Sequence, residues 1–409
     1  MGTIVKLAWR NIWRNRRRTL ITIASIFFAI FFSLIMRSIQ IGTFSHLIDN
    51  AVHSYTGYIQ VHIKGYWDDK DINNSFDFTD TLVKSLKGNK NVSEVIPRLE
   101  SFALASSGPK TKGVMVIGID PAKENILTGL EAKIVEGRYI EEADSGILVA
   151  QKLADYLGLH AGDTLVLIGQ GYHGTSAAGK WPVTGIVHFS SPELDRQMVY
   201  LPLKLAQDFY DAGNNVTSLV LELKESGKSD KTLEELKNTS IAKNYELMSW
   251  KMMLVELVQL VESKTASSLI MLGILYMIVG FGIYGTIVMM TLERIKEMGI
   301  MITVGMQKRR VRVMVLCESF MIGITGVLAG ILTTLPIILW FSAHPLKLAG
   351  EMAKTYESYG FESLLCFEPP SYYFLNSALV IGILVLISTI YPLRKIGRLK
   401  LVEALHYKG

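Results

Sequence analysis

The 409-residue sequence is 49% hydrophobic and only 19% charged, with a mean hydropathy of +0.30 and a formal net charge of +5. Soluble globular chains average about 25% charged residues, so this composition excludes an ordinary soluble enzyme and points to lipid. The basic residues flank apolar runs and form no single patch, which argues against a nucleic-acid partner.

In chain order, residues 1–18 read MGTIVKLAWRNIWRNRRR. On a helix Ile4, Leu7, Ala8 and Ile12 share one face, with Lys6, Arg10, Arg14 and Arg17 elsewhere. That is the pattern of a cytoplasmic amphipathic helix in the headgroup region; a plain positive-inside anchor is the alternative. The uncharged run Thr19–Met36 predicts a first transmembrane helix over 19–40,. No small-residue cleavage site follows it, so it reads as a retained signal-anchor.

Residues 41–265 are expected to form an extracytoplasmic (periplasmic) α+β domain with a stalk. Apolar residues at three- and four-residue steps carry the first helix from Arg37 to Val52, and Trp250–Glu262 lead in the same way into the next apolar run,. One helix is expected over 250–292, and the two extensions would pair as a helical stalk. Between them the patterns predict strands at 58–64, 114–119, 146–149, 164–168, 181–187, 198–201 and 219–223, with short helices at 78–86 and 152–157. Two subdomains are expected: 55–122 with 216–248, and an inserted β-rich 123–215.

Further apolar runs predict transmembrane helices at 266–292, 313–341 and 374–393, separated by a cytoplasmic segment at 293–312 and an outer loop at 342–373, with a tail at 394–409. The fold class is therefore membrane α-helical: four transmembrane helices, with the large α+β domain inserted between the first and second. Charge sets the orientation. Residues 41–266 carry 22 Lys+Arg against 29 Asp+Glu, whereas residues before 19, between 293 and 312 and after 393 are basic. Basic flanks stay cytoplasmic, so both termini are expected there.

Enzymatic chemistry is missing. Gly174–Lys180 fits seven positions of a phosphate-binding loop, but Trp181 replaces the hydroxyl residue and Pro182 opens a strand, not a helix,. The eight histidines are scattered, and Cys317 and Cys366 have no metal spacing,. We expect no catalytic residue, no metal site and no cofactor in this chain. Arg37 and Glu318 are the charges near membrane depth, and snorkelling from the helix ends is the expected role of each. Gly323, Gly326 and Gly330 predict close helix packing, within the subunit or between subunits. Ile30, Phe31 and Leu34 of the first helix, with Leu269, Leu272 and Tyr276 of the second, are candidates for an apolar substrate cavity between opposing subunits.

Between the second and third apolar runs stand Glu293, Arg294, Glu297, Gly299 and Gly305. This E-R-x-x-E-x-G-x-x-x-x-x-G pattern resembles the FtsX/macrolide-exporter permease superfamily, of the mechanotransmission type. The opening Leu7–Thr19, the close Tyr391–Leu405 and the segments Val183–Val187 and Val199–Leu203 are similar to the same family. The whole looks most like the lipoprotein-releasing permeases of the Lol pathway. The resemblance implies that those five residues form a coupling helix docked on a separate ABC ATPase dimer, which binds ATP and Mg. It also implies a second permease (identical or paralogous), a lipoprotein substrate, a periplasmic carrier, and a multi-pass place in a bacterial inner membrane. The alternatives are an FtsX-like regulator of a periplasmic hydrolase and a drug or peptide exporter permease.

Overall fold

The computed structural model describes residues 2–14, 16–351, 353 and 364–398; most of the predicted 394–409 tail and the middle of the 342–373 loop lie outside them. The chain forms two compact units, residues 1–45 with 260–347 and 364–409, and residues 46–259 with 348–363.

The helices that matter below are α1 (Gly2–Arg14), α2 (Arg16–Ala51), α3 (Pro121–Thr128), α4 (Val255–Glu293), α5 (Ile295–Thr303), α6 (Lys308–Ala343) and α7 (Tyr372–Gly397). Among the described residues, four helical stretches are long and apolar enough to cross a membrane: Arg16–Thr56, Val255–Glu293, Lys308–Ala343 and Tyr372–Gly397. At 1.5 Å per residue α2 is about 54 Å long, well beyond the ~30 Å of a hydrocarbon core. It closes in a π-helical turn, Val52–Thr56. Gly57 follows at φ +67°, where a Cβ would also run into Val220, so only glycine fits this exit,. The expected unbroken helix over 250–292 is instead two, Trp250–Met253 and α4, because Leu254 leaves helical geometry at φ −111° and ψ 53°.

The unit 46–259 is built on strands β1 (Ile59–Ile63), β2 (Phe76–Asp77), β3 (Val92–Ser107), β4 (Lys110–Ile119), β5 (Ile134–Gly137), β6 (Ile147–Ala150), β7 (Thr164–Gln170), β8 (Ser176–Val187), β9 (Met198–Pro202), β10 (Asn215–Val216), β11 (Ser218–Leu223) and β12 (Tyr245–Ser249). Ten of them join in one sheet ordered β12-β1-β11-β3-β4-β9-β6-β8-β5, with β7 bridging β8 and β3. The pairings therefore close a six-stranded ring, β3-β4-β9-β6-β8-β7, whose β4–β9 and β6–β8 pairs are parallel. Closure removes free edges within the ring.

β3 runs through both halves. Its residues 92–98 pair with β11 and its residues 98–107 with β4. The ring encloses one core, including Leu99, Val116, Leu148, Leu167 and Leu201. A second core gathers Ile59, Val61, Val95, Leu219 and Leu247 with Val52, Trp250 and Met253 from the two helix ends. The expected two-subdomain division is thus drawn differently: 99–119 packs with the ring, because β3 is too long to belong to one core and its second half, paired with β4, lies in the ring. The phosphate-loop look-alike is strand as well, since Ser176–Lys180 pairs along β7.

One buried ion cluster ties the end of α2 into the sheet. Arg98 of β3 is fully buried and donates from Nε and Nη2 to both oxygens of Glu124 on α3, at 2.9 and 2.6 Å. Its Nη1 donates to the Tyr55 carbonyl in the last turn of the helix, and Tyr55 Oη donates to Glu100 at 2.7 Å.

His62 of β1 is also buried, with Nε2 2.8 Å from Gln60 Oε1 and Nδ1 unpartnered. Burial, with a smaller push from Lys70, lowers it to about 3. The unfolded chain takes up this proton near 6.5, so between about 3 and 6.5 the unfolded state binds more protons. The stability is whole above the unfolded value and falls by up to about 1.4 kcal/mol per pH unit below it. We expect His62→Asn to flatten that slope in pulse proteolysis of the full chain between pH 7.5 and 5. Equal slopes in both proteins would contradict a neutral buried imidazole.

Candidate coupling site and helix bundle

The segment between α4 and α6 turns twice. Arg294 breaks α4 at φ −100° and ψ 8° and caps α5, and Gly305 at φ +105° supplies the left-handed residue needed before α6,. This places the charged residues of the motif against α1, α2 and α6.

Arg294 is 9% exposed. Its Nη1 donates to Glu318 Oε2 on α6 at 2.7 Å, and its Nε to Glu297 Oε2 at 3.4 Å. Asn11 of α1 donates to the other Glu318 oxygen at 2.8 Å. Arg14 pairs with Glu297 and Arg18 with Glu293. Beneath them Ala8, Met298, Val311, Met314 and Ile396 form a small apolar core. Glu318 is therefore not a snorkelling side chain: it is 5% exposed and held by two donors, because an apolar helix carries a buried carboxylate only with partners at hand,. Arg37 stays half-buried near the other end of its span.

At Glu297 burial pushes the carboxyl up, but the hydrogen bond and charge of Arg14, then the charge of Arg294, hold it below the usual range. A lowered carboxyl contributes stability above the ordinary carboxylate range and loses it as pH falls through the folded value. Arg14 and Arg294 thus favour the carboxylate form of Glu297.

Of the five motif residues, Arg294 and Gly299 are buried, while Glu293 and Glu297 are exposed yet engaged by α1 and α2 arginines. Gly305 is exposed beside Val304, which is 84% exposed, and Ile300. The free surface of this segment is consequently an apolar tip flanked by Gln307, Arg309 and Arg310. Asn11, Arg14, Arg18 and Glu318 were not singled out in the sequence as partners. The available signals were a carboxylate inside an apolar run and an arginine between two glutamates.

In the bundle, Gly326 and Gly330 lie against Ile26 and Ile30 of α2, where a Cβ would approach Ile Cγ2 to 2.6 and 2.7 Å, and Gly323 lies against Val385 of α7. The cavity candidates do not come together around one open space in the single chain. Ile30 and Leu34 are fully buried in the bundle core and Leu272 is buried. Phe31 is half-buried and Leu269 exposed. Tyr276 bonds through its hydroxyl to Ser33 at 2.6 Å and faces a groove of about 340 Å³ between α4 and α7. A second groove of about 360 Å³, lined by Phe320, Gly323, Val327, Leu379 and Gly382, runs between α6 and α7. α4 is the least covered span, 11% buried over its most apolar stretch against 33–39% for the others. Among the described residues, no group of three or more His, Cys, Asp or Glu could hold a metal.

Four long apolar helices, a short helix braced between two of them and a large sheet-bearing domain make up a permease of the ABC type. The family models agree: residues 19–239 match the MacB-like periplasmic core domain and residues 269–401 the FtsX-like permease C-terminal region. The chain belongs to this MacB/FtsX-like permease family. It is 24% identical over 341 residues to the lipoprotein-releasing system transmembrane protein LolC of Xylella fastidiosa strain 9a5c, covering 78% of each chain. To the LolC of Neisseria meningitidis serogroup B it is 20% identical over 408 residues, covering 95% of this chain and 94% of that one. Among solved structures, the periplasmic region of MacB from Actinobacillus actinomycetemcomitans matches with 15% identity and a TM-score of 0.34, covering 49% of this chain and 92% of that chain. The extracellular domain of the noncanonic ABC-type transporter YknZ from Gram-positive bacteria matches with 14% identity and a TM-score of 0.33, covering 47% and 99%. A family of ABC permeases implies an ATPase partner and a pairing of permeases in general.

Proposed function

We propose that this chain is the permease subunit of an ATP-driven complex that releases lipoproteins from the inner membrane, with the ATP and Mg bound by a separate ATPase dimer. The observation that carries this reading is the likeness to a LolC over nearly the whole of both chains. In it both termini and the 293–312 segment are cytoplasmic, the 41–265 domain with its stalk is periplasmic, and spans 19–40, 266–292, 313–341 and 374–393 form the membrane part. A second permease, identical or paralogous, faces this one, and a periplasmic carrier receives the lipoprotein.

The apolar tip at Ile300 and Val304 is the contact we assign to the ATPase, since Glu293, Arg294 and Glu297 are already engaged within the chain. Their role is to brace α5 so that its displacement reaches α2 and α6 together. Val304→Asp is expected to weaken ATPase binding by at least about tenfold, the ~1.4 kcal/mol or more lost when an apolar anchor becomes a buried charge. Co-purification and surface plasmon resonance would measure it, and binding within a factor of two of wild type would remove the tip from the interface.

Release itself is tested by reconstituting the chain with its partners in liposomes carrying a radiolabelled lipoprotein. Transfer to a soluble carrier that needs ATP supports the proposal. ATP-dependent activation of a bound cell-wall hydrolase without any transfer supports the regulator instead, the reading to which the FtsX-like match over 269–401 lends weight.

A further inference from the structure

Among the described residues, Arg37 of α2 has no counter-charge. Ser33, Arg37 and Gln40 lie at four- and three-residue steps on one face of α2, and this face meets α4. Ser33 Oγ is 2.6 Å from Tyr276 Oη, and Gln40 Oε1 accepts from Ser268 Oγ at 2.7 Å. The same Gln40 oxygen accepts from Arg37 Nη1 at 3.0 Å. A guanidinium has five N–H donors, and this is the one protein hydrogen bond of Arg37 among the described residues, with no carboxylate in ion-pair range. Ser38 and Gly42, on another side of α2, are taken by the Cys366–Glu368 backbone.

A charge held in a span by a neutral amide is costly unless an anion from outside the chain completes it. Its depth says which. From Arg18 to Arg37 the helix rises about 28 Å, close to the ~30 Å of hydrocarbon. Arg18 and its neighbours mark one interface, so Arg37 stands at the other, where lipid phosphates lie. The guanidinium fork matches two phosphate oxygens, and the free Gln40 amide nitrogen adds donors from the same side. Exposed Leu269, Ile270 and Met271, next to Ser268 on α4, offer apolar surface beside the acyl chains.

We propose that Arg37 and the amide nitrogen of Gln40, whose oxygen is held by Ser268, form a binding site for the phosphate group of a membrane phospholipid, at the seam between α2 and α4. The bound lipid completes the polar contacts that join α4 to α2. The site stands apart from the identity of the transported substrate.

The test uses the full chain in non-ionic detergent with phosphatidylglycerol carrying a diazirine near its headgroup, and maps the photo-adducts by peptide mass. Adducts are expected within residues 36–44 and 264–272. Arg37→Gln should lower them about tenfold, as expected when a charge-assisted pair worth about 1.4 kcal/mol is lost. Labelling of the basic 10–18 stretch should persist, and Arg37→Lys should retain part of the signal. Gln40→Leu, which keeps the arginine, should lower the same adducts several-fold and serves if Arg37→Gln does not fold. Unchanged adducts in the folded variants would overturn the site. Equal labelling by a diazirine diacylglycerol without phosphate would overturn its phosphate chemistry, and displacement by millimolar inorganic phosphate would overturn its assignment to lipid.

Discussion

Arg98→Ala is expected to destabilise the 46–259 unit by about 3–5 kcal/mol, the cost of removing one partner from a buried ion pair. The alanine leaves Glu124 with none of its 2.9 and 2.6 Å donors in a site that is fully buried, and it frees the Tyr55 carbonyl at the end of the α2 helix. Glu100 keeps the Tyr55 hydroxyl but loses the nearby positive charge, 3.9 Å away. An unpaired buried carboxylate is the expensive element, so Arg98→Met with Glu124→Leu should cost less than the two single changes added together. Pulse proteolysis of the full chain across a urea series reads both quantities. A loss below about 1 kcal/mol for Arg98→Ala would mean that water reaches the cluster and the pair behaves as a surface one. The functional consequence is local: the helix that leaves the membrane ends on this arginine, so a loosened cluster also loosens its last turn.

The same cluster marks where sequence reasoning stops. Long apolar runs reveal membrane-length helices because bilayer thickness fixes their length; seven strands were legible one at a time, but the longest, β3 over Val92–Ser107, was not. The ring was not, because its closing pair sets Ala103–Ser106 against Val166–Gly169, a contact across some sixty residues that no local pattern encodes. No local pattern marks Arg98 and Glu124 as buried, since the burial of a charge depends on a partner elsewhere along the chain. Leu254 carries no helix-breaking chemistry, and its break reflects tertiary packing. At the candidate coupling site the motif was visible, but not its direction: Arg294 faces inward to Glu318, and the outward surface is Ile300 and Val304. Ile30 and Leu34 were placed on the right helix, yet the glycines of α6 draw Ile30 into the bundle and Leu34 lies in the same core. A stripe of apolar residues has the same appearance whether it faces lipid, a cavity or a neighbouring helix.

Glu318→Leu should produce the second large effect, again about 3–5 kcal/mol, because it strands the Arg294 guanidinium in the bundle. Arg294 would keep only the 3.4 Å contact to Glu297, and Asn11 would lose its acceptor. The surface pairs Arg14–Glu297 and Arg18–Glu293 belong to a different class: their partners are partly exposed, and such pairs contribute about 0–1 kcal/mol,. The ordering is therefore a sharp expectation, with Glu318→Leu far more damaging to the thermal stability of the detergent-solubilised chain than Arg14→Gln. Glu318→Gln separates packing from charge, since the amide keeps the shape and one acceptor for Arg294 but no longer balances it. Stability should then fall by less, while α5, whose N-cap residue is Arg294, loses its fixed anchor on α6. In the reconstituted complex this variant should bind the ATPase normally, through the intact Ile300–Val304 tip, yet uncouple ATP hydrolysis from release. If Arg14→Gln costs as much as Glu318→Leu, the interior pair is not what braces the connecting helix. If Glu318→Gln remains fully coupled, force passes from α5 to α6 through apolar packing alone, by way of Met298 against Met314 and Val315 in their shared core.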